Sequence, residues 1–165
     1  MDLEIKPATI DDVPLILHFI KSLAAYEKLS HEVTATEDIL RETLFGERRY
    51  AEVVFAYARK TKDSPLEPAG MALFFHNFST FTGRPGIYLE DLFVHTEFRG
   101  SGIGKSLLIY LAALAKERNS PRFEWVCLDW NESSLKFYNS LGAKQLKEWI
   151  IHRVEGKNLD SLAAL

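Results

Sequence analysis

The chain has one cysteine, Cys127, among 165 residues. An intrachain disulfide is therefore excluded, and stability has to come from an apolar core, which suits a reducing compartment. Basic excess is missing too. Twenty Lys and Arg stand against 23 Asp and Glu, a net charge of −3, which gives no footprint for nucleic acid. No long apolar run is present: the strongest, Leu107 to Ala115, is about half of the ~20 residues a membrane span needs. The start, Met1-Asp2-Leu3-Glu4-Ile5-Lys6, lacks the basic and apolar stretches of a secretory leader. Histidines at 18, 31, 76, 95 and 152 show no paired ligand spacing such as H-E-x-x-H, so no metal is expected. Repeats, low-complexity tracts and charge blocks are also absent, and no internal boundary can be drawn. What is there, 47% apolar and 26% charged residues, suffices for one core. One domain over residues 1–165 is expected, soluble and cytoplasmic, with no membrane or nucleic-acid partner.

Leu3 to Lys6 alternates apolar and charged residues and predicts a short strand. Thr9-Ile10-Asp11-Asp12 predicts a helix start, with Thr9 accepting from free first-turn N–H groups. Val13, Ile16, Leu17, Ile20 and Leu23 follow at helical spacing. Thr34 with Glu37 predicts a capping box for a second helix, through Leu44 to a stop at Gly46. Val53–Tyr57 and Gly70–Phe75 predict strands either side of a turn from Lys60 to Pro68. Ile87–Val94 is a strongly apolar strand interrupted by two acids. A helix follows the glycines at 100, 102 and 104, its apolar face made of Ile103, Leu107, Leu108, Leu111 and Leu114. Phe123–Leu128 predicts a strand, Glu132–Leu141 a helix, and Lys147–Val154 a last strand. From Asn158 a single helical turn or a frayed tail is expected.

The order β-α-α-β-β-β-α-β-α-β implies an α/β (α+β) fold with a mixed, mostly antiparallel sheet and helices on both faces. The unit from 87 to 128 should be a right-handed crossover joining parallel strands.

Arg99-Gly100-Ser101-Gly102-Ile103-Gly104-Lys105-Ser106 lies between a buried strand and a helix. Glycines let successive N–H groups converge on an anion, the helix N-terminus adds about half a positive charge, and two cations flank the loop. A phosphate or diphosphate is the natural occupant; an empty glycine-rich turn is the alternative. The pattern G-x-x-x-x-G-K-[ST] would need glycine at 99, and G-x-G-x-x-G would need it at 105 or 107; those positions hold Arg, Lys and Leu. Neither motif fits.

The stretch R-G-x-G-I-G after a strand resembles the acyl-CoA diphosphate loop of the GNAT acetyltransferase superfamily. Tyr88-Leu89-Glu90-Asp91-Leu92-Phe93-Val94 with Phe98-Arg99-Gly100 is similar to the diamine and polyamine branch, the spermidine/spermine N-acetyltransferases. So are Trp130-Asn131-Glu132, the run Phe137-Tyr138-Asn139-Ser140-Leu141-Gly142-Ala143, and Tyr26-Glu27 near the N-terminus. The resemblance implies a GNAT fold in which two neighbouring parallel strands splay and pantetheine pairs with exposed backbone in the gap. Leu92, Phe93 and Val94 would supply main chain to the acetyl-CoA arm. Arg99, Gly100, Ser101, Gly102, Ile103, Gly104 and Lys105 would bind the diphosphate. Glu124, Trp125, Val126, Cys127, Leu128, Asp129, Trp130 and Asn131 would line the other side. The side chains of Leu92, Val94, Val126 and Leu128 are expected to pack in the core, with Cys127 a core thiol.

Carboxylates at Glu90 and Asp91 need a partner if buried: a salt bridge, a loop cap or a cationic ligand. In a regular strand they point to opposite faces, and a bulge could redirect one. With the resemblance, they and the Tyr26-Glu27 pair bind a cationic amine, and Glu90 is the general base, directly or through water. Deprotonating an alkyl amine near neutral pH costs roughly 4 kcal/mol. Tyr138 either packs against the sheet or donates a proton to the departing CoA thiolate. Asn131 reads as helix cap, CoA contact or both. Phe74, Phe75, Phe78, Phe81 and Trp130 either wall an aliphatic substrate or pack.

The activity so implied is acetyl transfer from acetyl-CoA to a primary amine of a small diamine, polyamine or lysine-like amino acid, by direct attack in a ternary complex. A protein or peptide acceptor, or a non-catalytic acyl-CoA-binding module, are the other readings. A homodimer, with the last strand contributing, is expected from the resemblance.

Overall fold

The computed structural model describes residues 2–165. The chain divides into two compact units, Met1–Val126 and Cys127–Leu165. The first holds a five-stranded sheet in the order β1 (Leu3–Pro7), β2 (Glu52–Ala58), β3 (Glu67–Ser79), β4 (Arg84–Val94) and β5 (Phe123–Trp125). The first three pairings are antiparallel and the β4–β5 pairing is parallel, as the crossover through α3 (Ile103–Glu117) requires.

Burial along β2 and β3 is nearly continuous rather than alternating. Val53, Val54, Phe55 and Ala56 are all buried, as are Ala69, Gly70, Met71 and Ala72. A strand covered on both faces has this signature. One face carries Val53, Phe55, Met71 and Phe93. They form a core cluster with Val13, Ile16 and Phe19 of α1 (Val13–Tyr26) and with Leu40 and Leu44 of α2 (Glu37–Phe45). The opposite face receives α3. A Cβ on Gly70 would lie 3.1 Å from Ile103 Cγ2 and 3.3 Å from Leu107 Cδ1, so the absent side chain is what lets the helix settle on β3. Helices on both faces of a mixed sheet match the architecture expected from the sequence.

At the first helix start Thr9 and Asp12 form a capping box, the Thr9 side chain taking the Asp12 N–H as expected, and the Asp12 carboxylate also accepts from Thr9 N (2.7 Å) and Thr9 Oγ1 (2.9 Å). Several local expectations change. Helix α2 is capped by Thr36, whose Oγ1 accepts from Ile39 N at 3.3 Å, and not by Thr34. Strand β3 starts at Glu67, before the expected Gly70, and runs past Phe75 to Ser79, paired with β4 down to Arg84. Strand β5 ends at Trp125 instead of Leu128, and Val126 and Leu128 are 54% and 40% exposed rather than core residues.

The second unit contains α4 (Glu132–Ser140) and α5 (Lys157–Ala163). The strand expected over Lys147–Val154 does not form. That segment has no regular structure, and Trp149, Ile150 and Ile151 are exposed. Its apolar alternation is real, but a strand needs a neighbour to pair with, and the sheet ends at β5. The tail forms a helix of seven residues, more than the single turn expected. Among the described residues no helix is long and apolar enough to cross a membrane.

Candidate active site

Strand β4 loses one of its two partners partway along. Ile87, Tyr88 and Leu89 pair with Phe123, Glu124 and Trp125, and there the parallel ladder stops. On its other edge β4 stays paired with β3, but the register shifts: Phe74 faces Leu89 and Leu73 faces Asp91. Glu90 is the extra residue. A bulge bends and twists its strand, and this one sits where β4 and β5 part company. Along Leu92, Phe93 and Val94, β5 therefore supplies no partner, as a splayed strand pair demands.

The bulge leaves Glu90 exposed and Asp91 half-buried. Both line a cleft of about 420 Å³ together with Glu27 and Glu32. Ile20, Leu23, Ala24, Leu29, Val33, Thr34 and Ala35 complete it. Four carboxylates and no Lys or Arg line this volume. Burial, reinforced by the charges of Glu90 and Glu27, pushes the Asp91 carboxyl up to about 6. Glu27 follows α1 as its C-cap, and the chain then turns through Lys28 at φ 63° into the short 3-10 turn Ser30–Glu32. Sequence reading finds three of these acids. It misses Glu32, which no motif marks and which the turn carries round to the others.

After β4 a 3-10 turn, Thr96–Phe98, leads into the glycine loop, where the Ser101 hydroxyl donates to the Phe98 carbonyl. Gly100 and Gly102 have φ of 75° and 88°, and a Cβ at either would meet nothing within 4 Å. Glycine is thus required there by backbone conformation and not by crowding. Gly102 caps α3 and offers no side-chain acceptor, so the first-turn N–H groups of Ile103, Gly104 and Lys105 have no acceptor within the helix. Open space, a left-handed turn and a helix N-terminus make an anion cradle. It fits the diphosphate of an acyl-CoA.

Arg99 heads the loop, and its Nε donates to the Val94 carbonyl at 3.0 Å. Its guanidinium lies 4.3 Å from the centroid of the Tyr26 ring and 5.5 Å from that of Phe93. The Glu124 carboxylate accepts from Asn77 Nδ2 (2.7 Å) and pairs with Arg122 Nε (2.9 Å), so it braces β3 against β5. The Trp125 ring packs on Phe123, centroids 4.9 Å apart. Of the aromatics, Phe74 is buried, Phe75 stacks on Tyr88 at 5.0 Å, and Phe78, Phe81 and Trp130 are exposed.

In the second unit, Asn131 Oδ1 accepts from Ser134 N (3.3 Å) and from Ser133 Oγ (3.2 Å). The cap role read from sequence is therefore filled. Asp129 and Trp130 sit in the exposed turn before it, and the half-buried Cys127 Sγ lies 3.6 Å from the Leu128 carbonyl. Tyr138 is on α4 beside Phe137. Burial, with the Cys127 charge adding, pushes its phenol up to about 12. It is a protonated donor at any physiological pH.

Residues 20–143 match the acetyltransferase (GNAT) family. The chain is 37% identical over 167 residues to a thialysine N-epsilon-acetyltransferase of Sus scrofa, covering 96% of each. It is 31% identical to human spermidine/spermine N(1)-acetyltransferase-like protein 1, over 97% of this chain and 24% of that longer protein. An integron cassette protein of V. cholerae superposes with a TM-score of 0.77 at 29% identity, covering 99% and 98% of the two chains. The chain belongs to the GNAT family and is an N-acetyltransferase.

Proposed function

We propose that this enzyme transfers the acetyl group of acetyl-CoA to a primary amine of a small diamine, polyamine or lysine-like amino acid, acting as one domain. The observation that carries the substrate class is the cleft lined by Glu27, Glu32, Glu90 and Asp91. Its carboxylates attract an ammonium group, and Ile20, Leu23 and Val33 give methylenes an apolar wall. Two relatives whose names specify thialysine and spermidine/spermine support the same class.

The loop that starts at Arg99 and runs to Lys105 holds the diphosphate of the co-substrate through its N–H groups, the α3 N-terminus and Lys105, and main chain of Leu92, Phe93 and Val94 holds its pantetheine arm. Residues Glu124 to Asn131 line the other side. Asp91 and Glu27, with Tyr26 beside them, bind the ammonium form. Glu90, directly or through one water, takes a proton from nitrogen. The nitrogen lone pair then forms a C–N bond to the thioester carbonyl. Collapse of the tetrahedral centre breaks the C–S bond; Tyr138 gives its proton to the departing sulfur, the second proton lost from nitrogen returns to the tyrosine through water, and Glu90 releases its proton to solvent. The amide and free CoA leave.

Exposed Trp149, Ile150 and Ile151 support a homodimer, and the single cysteine suits the cytoplasm. The test is release of free CoA over diamines, polyamines, lysine analogues and peptides. Turnover confined to the small dibasic amines is expected. A preference for peptides, or acetyl-CoA binding with no thiol released on any amine, overturns the proposal.

A further inference from the structure

Arg99 begins the diphosphate loop, and its side chain reaches the end of β4 and the end of α1. Its Nε is spent on the carbonyl that ends β4, 3.0 Å away. Its guanidinium covers Tyr26 at 4.3 Å and reaches Phe93 at 5.5 Å. Tyr26 is the last residue of α1, and the next residue, Glu27, lines the acidic cleft.

Leu23 and Ala24 anchor that end of α1 on the core side, while the Tyr26 side has the Arg99 guanidinium on its ring. Tyr26 is about half-exposed, and two residues on, Lys28 takes a left-handed conformation, φ 63°, uncommon for a residue with a side chain. The backbone leaves the helix through the bonds Glu27 N to Leu23 O, Lys28 N to Ala25 O and Leu29 N to Ala24 O. One cation stacked on one ring thus ties the loop, the end of β4 and the acid-bearing end of α1 together.

We infer that Arg99 is a positioning residue for the amine: it sets Tyr26, and through it Glu27, relative to Asp91. Diphosphate binding is left to the loop N–H groups, the α3 N-terminus and Lys105. The inference rests on the amine-acetylating reading and adds to it a residue that acts across the two substrate sites.

The experiment separates the two substrates. Acetyl-CoA affinity is measured by calorimetry on Arg99→Ala, Arg99→Lys, Tyr26→Ala, Tyr26→Phe and the double alanine variant, and amine KM and kcat by CoA release. A cation–π contact at an exposed position corresponds to about a fivefold effect at most. Arg99→Ala and Tyr26→Ala should each raise the amine KM about fivefold, with acetyl-CoA affinity within about twofold of wild type. The double variant should be no worse than either single one, since both remove one interaction. Tyr26→Phe keeps the ring and should recover most of the KM loss seen in Tyr26→Ala, while Arg99→Lys keeps the charge without the Nε bond and should fall between Arg99→Ala and wild type.

A loss of acetyl-CoA affinity of about tenfold in Arg99→Ala, the effect of deleting a charged phosphate ligand, overturns the inference. So do additive effects of the two alanines on amine KM. A wild-type enzyme inactive on every amine would instead count against the amine reading. The calorimetric arm would still decide whether Arg99 serves the phosphate.

Discussion

Asp91 stands directly opposite Leu73 in the β3–β4 ladder. Alternation puts its carboxylate on the same face of the sheet as Phe93 and Met71, the face that α1 and α2 cover. An acid at the margin of an apolar layer, with Glu90 and Glu27 acting on it, is a destabilising element retained for its charge.

Its native pKa, raised to about 6 from 3.8, sets a pH signature. Between those values the folded chain binds more protons than the unfolded one, so stability falls as pH rises through that window and is level above it. Asp91→Asn removes the charge. Urea denaturation at pH 8 should show the variant more stable by up to about 3 kcal/mol, the gap closing as pH falls toward 4, while amine kcat/KM drops at least tenfold. A stability gap between variant and wild type no larger at pH 8 than at pH 4 would contradict this account.

Glu90 occupies the bulge, exposed and opposite no residue of β3. Glu90→Gln should therefore raise the urea midpoint only slightly, by relieving its repulsion of Asp91, and lower kcat on the order of a hundredfold, the usual contribution of a general base. A near-normal kcat would move the base elsewhere.

Tyr138, with its phenol pushed up to about 12, keeps its proton throughout the working range. The pH–rate profile should show no fall attributable to it between pH 8 and 10. Tyr138→Phe should lower kcat by roughly a hundredfold or more at nearly constant amine KM, when single-turnover mixing monitors chemistry.

At Gly102 there is room for a methyl group but not the right backbone, φ being 88°. Gly102→Ala should destabilise by about 1–2 kcal/mol and weaken acetyl-CoA binding as the loop relaxes. Calorimetry and thermal melts on one preparation would report both effects. An unchanged affinity would argue that the loop does not hold the donor.

The glycine loop, the leucine-faced α3 and the acids on β4 are legible in the sequence because each depends on neighbours a few residues away. Thr36 displaces Thr34 as the α2 cap because both fit the local pattern, and the helix start is decided by where the chain emerges beside the cleft, which Thr34 lines. Glu32 was invisible for the same reason: a solvated acid and a cleft-lining acid look alike until a turn brings them beside Glu90. The strand expected at Lys147–Val154 failed on the opposite ground. Its local pattern is sound, but pairing is a property of two segments.

Residue 90 is supernumerary to the sheet. Excising it would still leave Leu73 facing Asp91 and Phe74 facing Leu89, each on its present side, so a chain shortened there should fold with a straighter ribbon. Such a deletion isolates the kink from the core: it takes away the acid and the parting of β4 from β5 in one stroke, and little else.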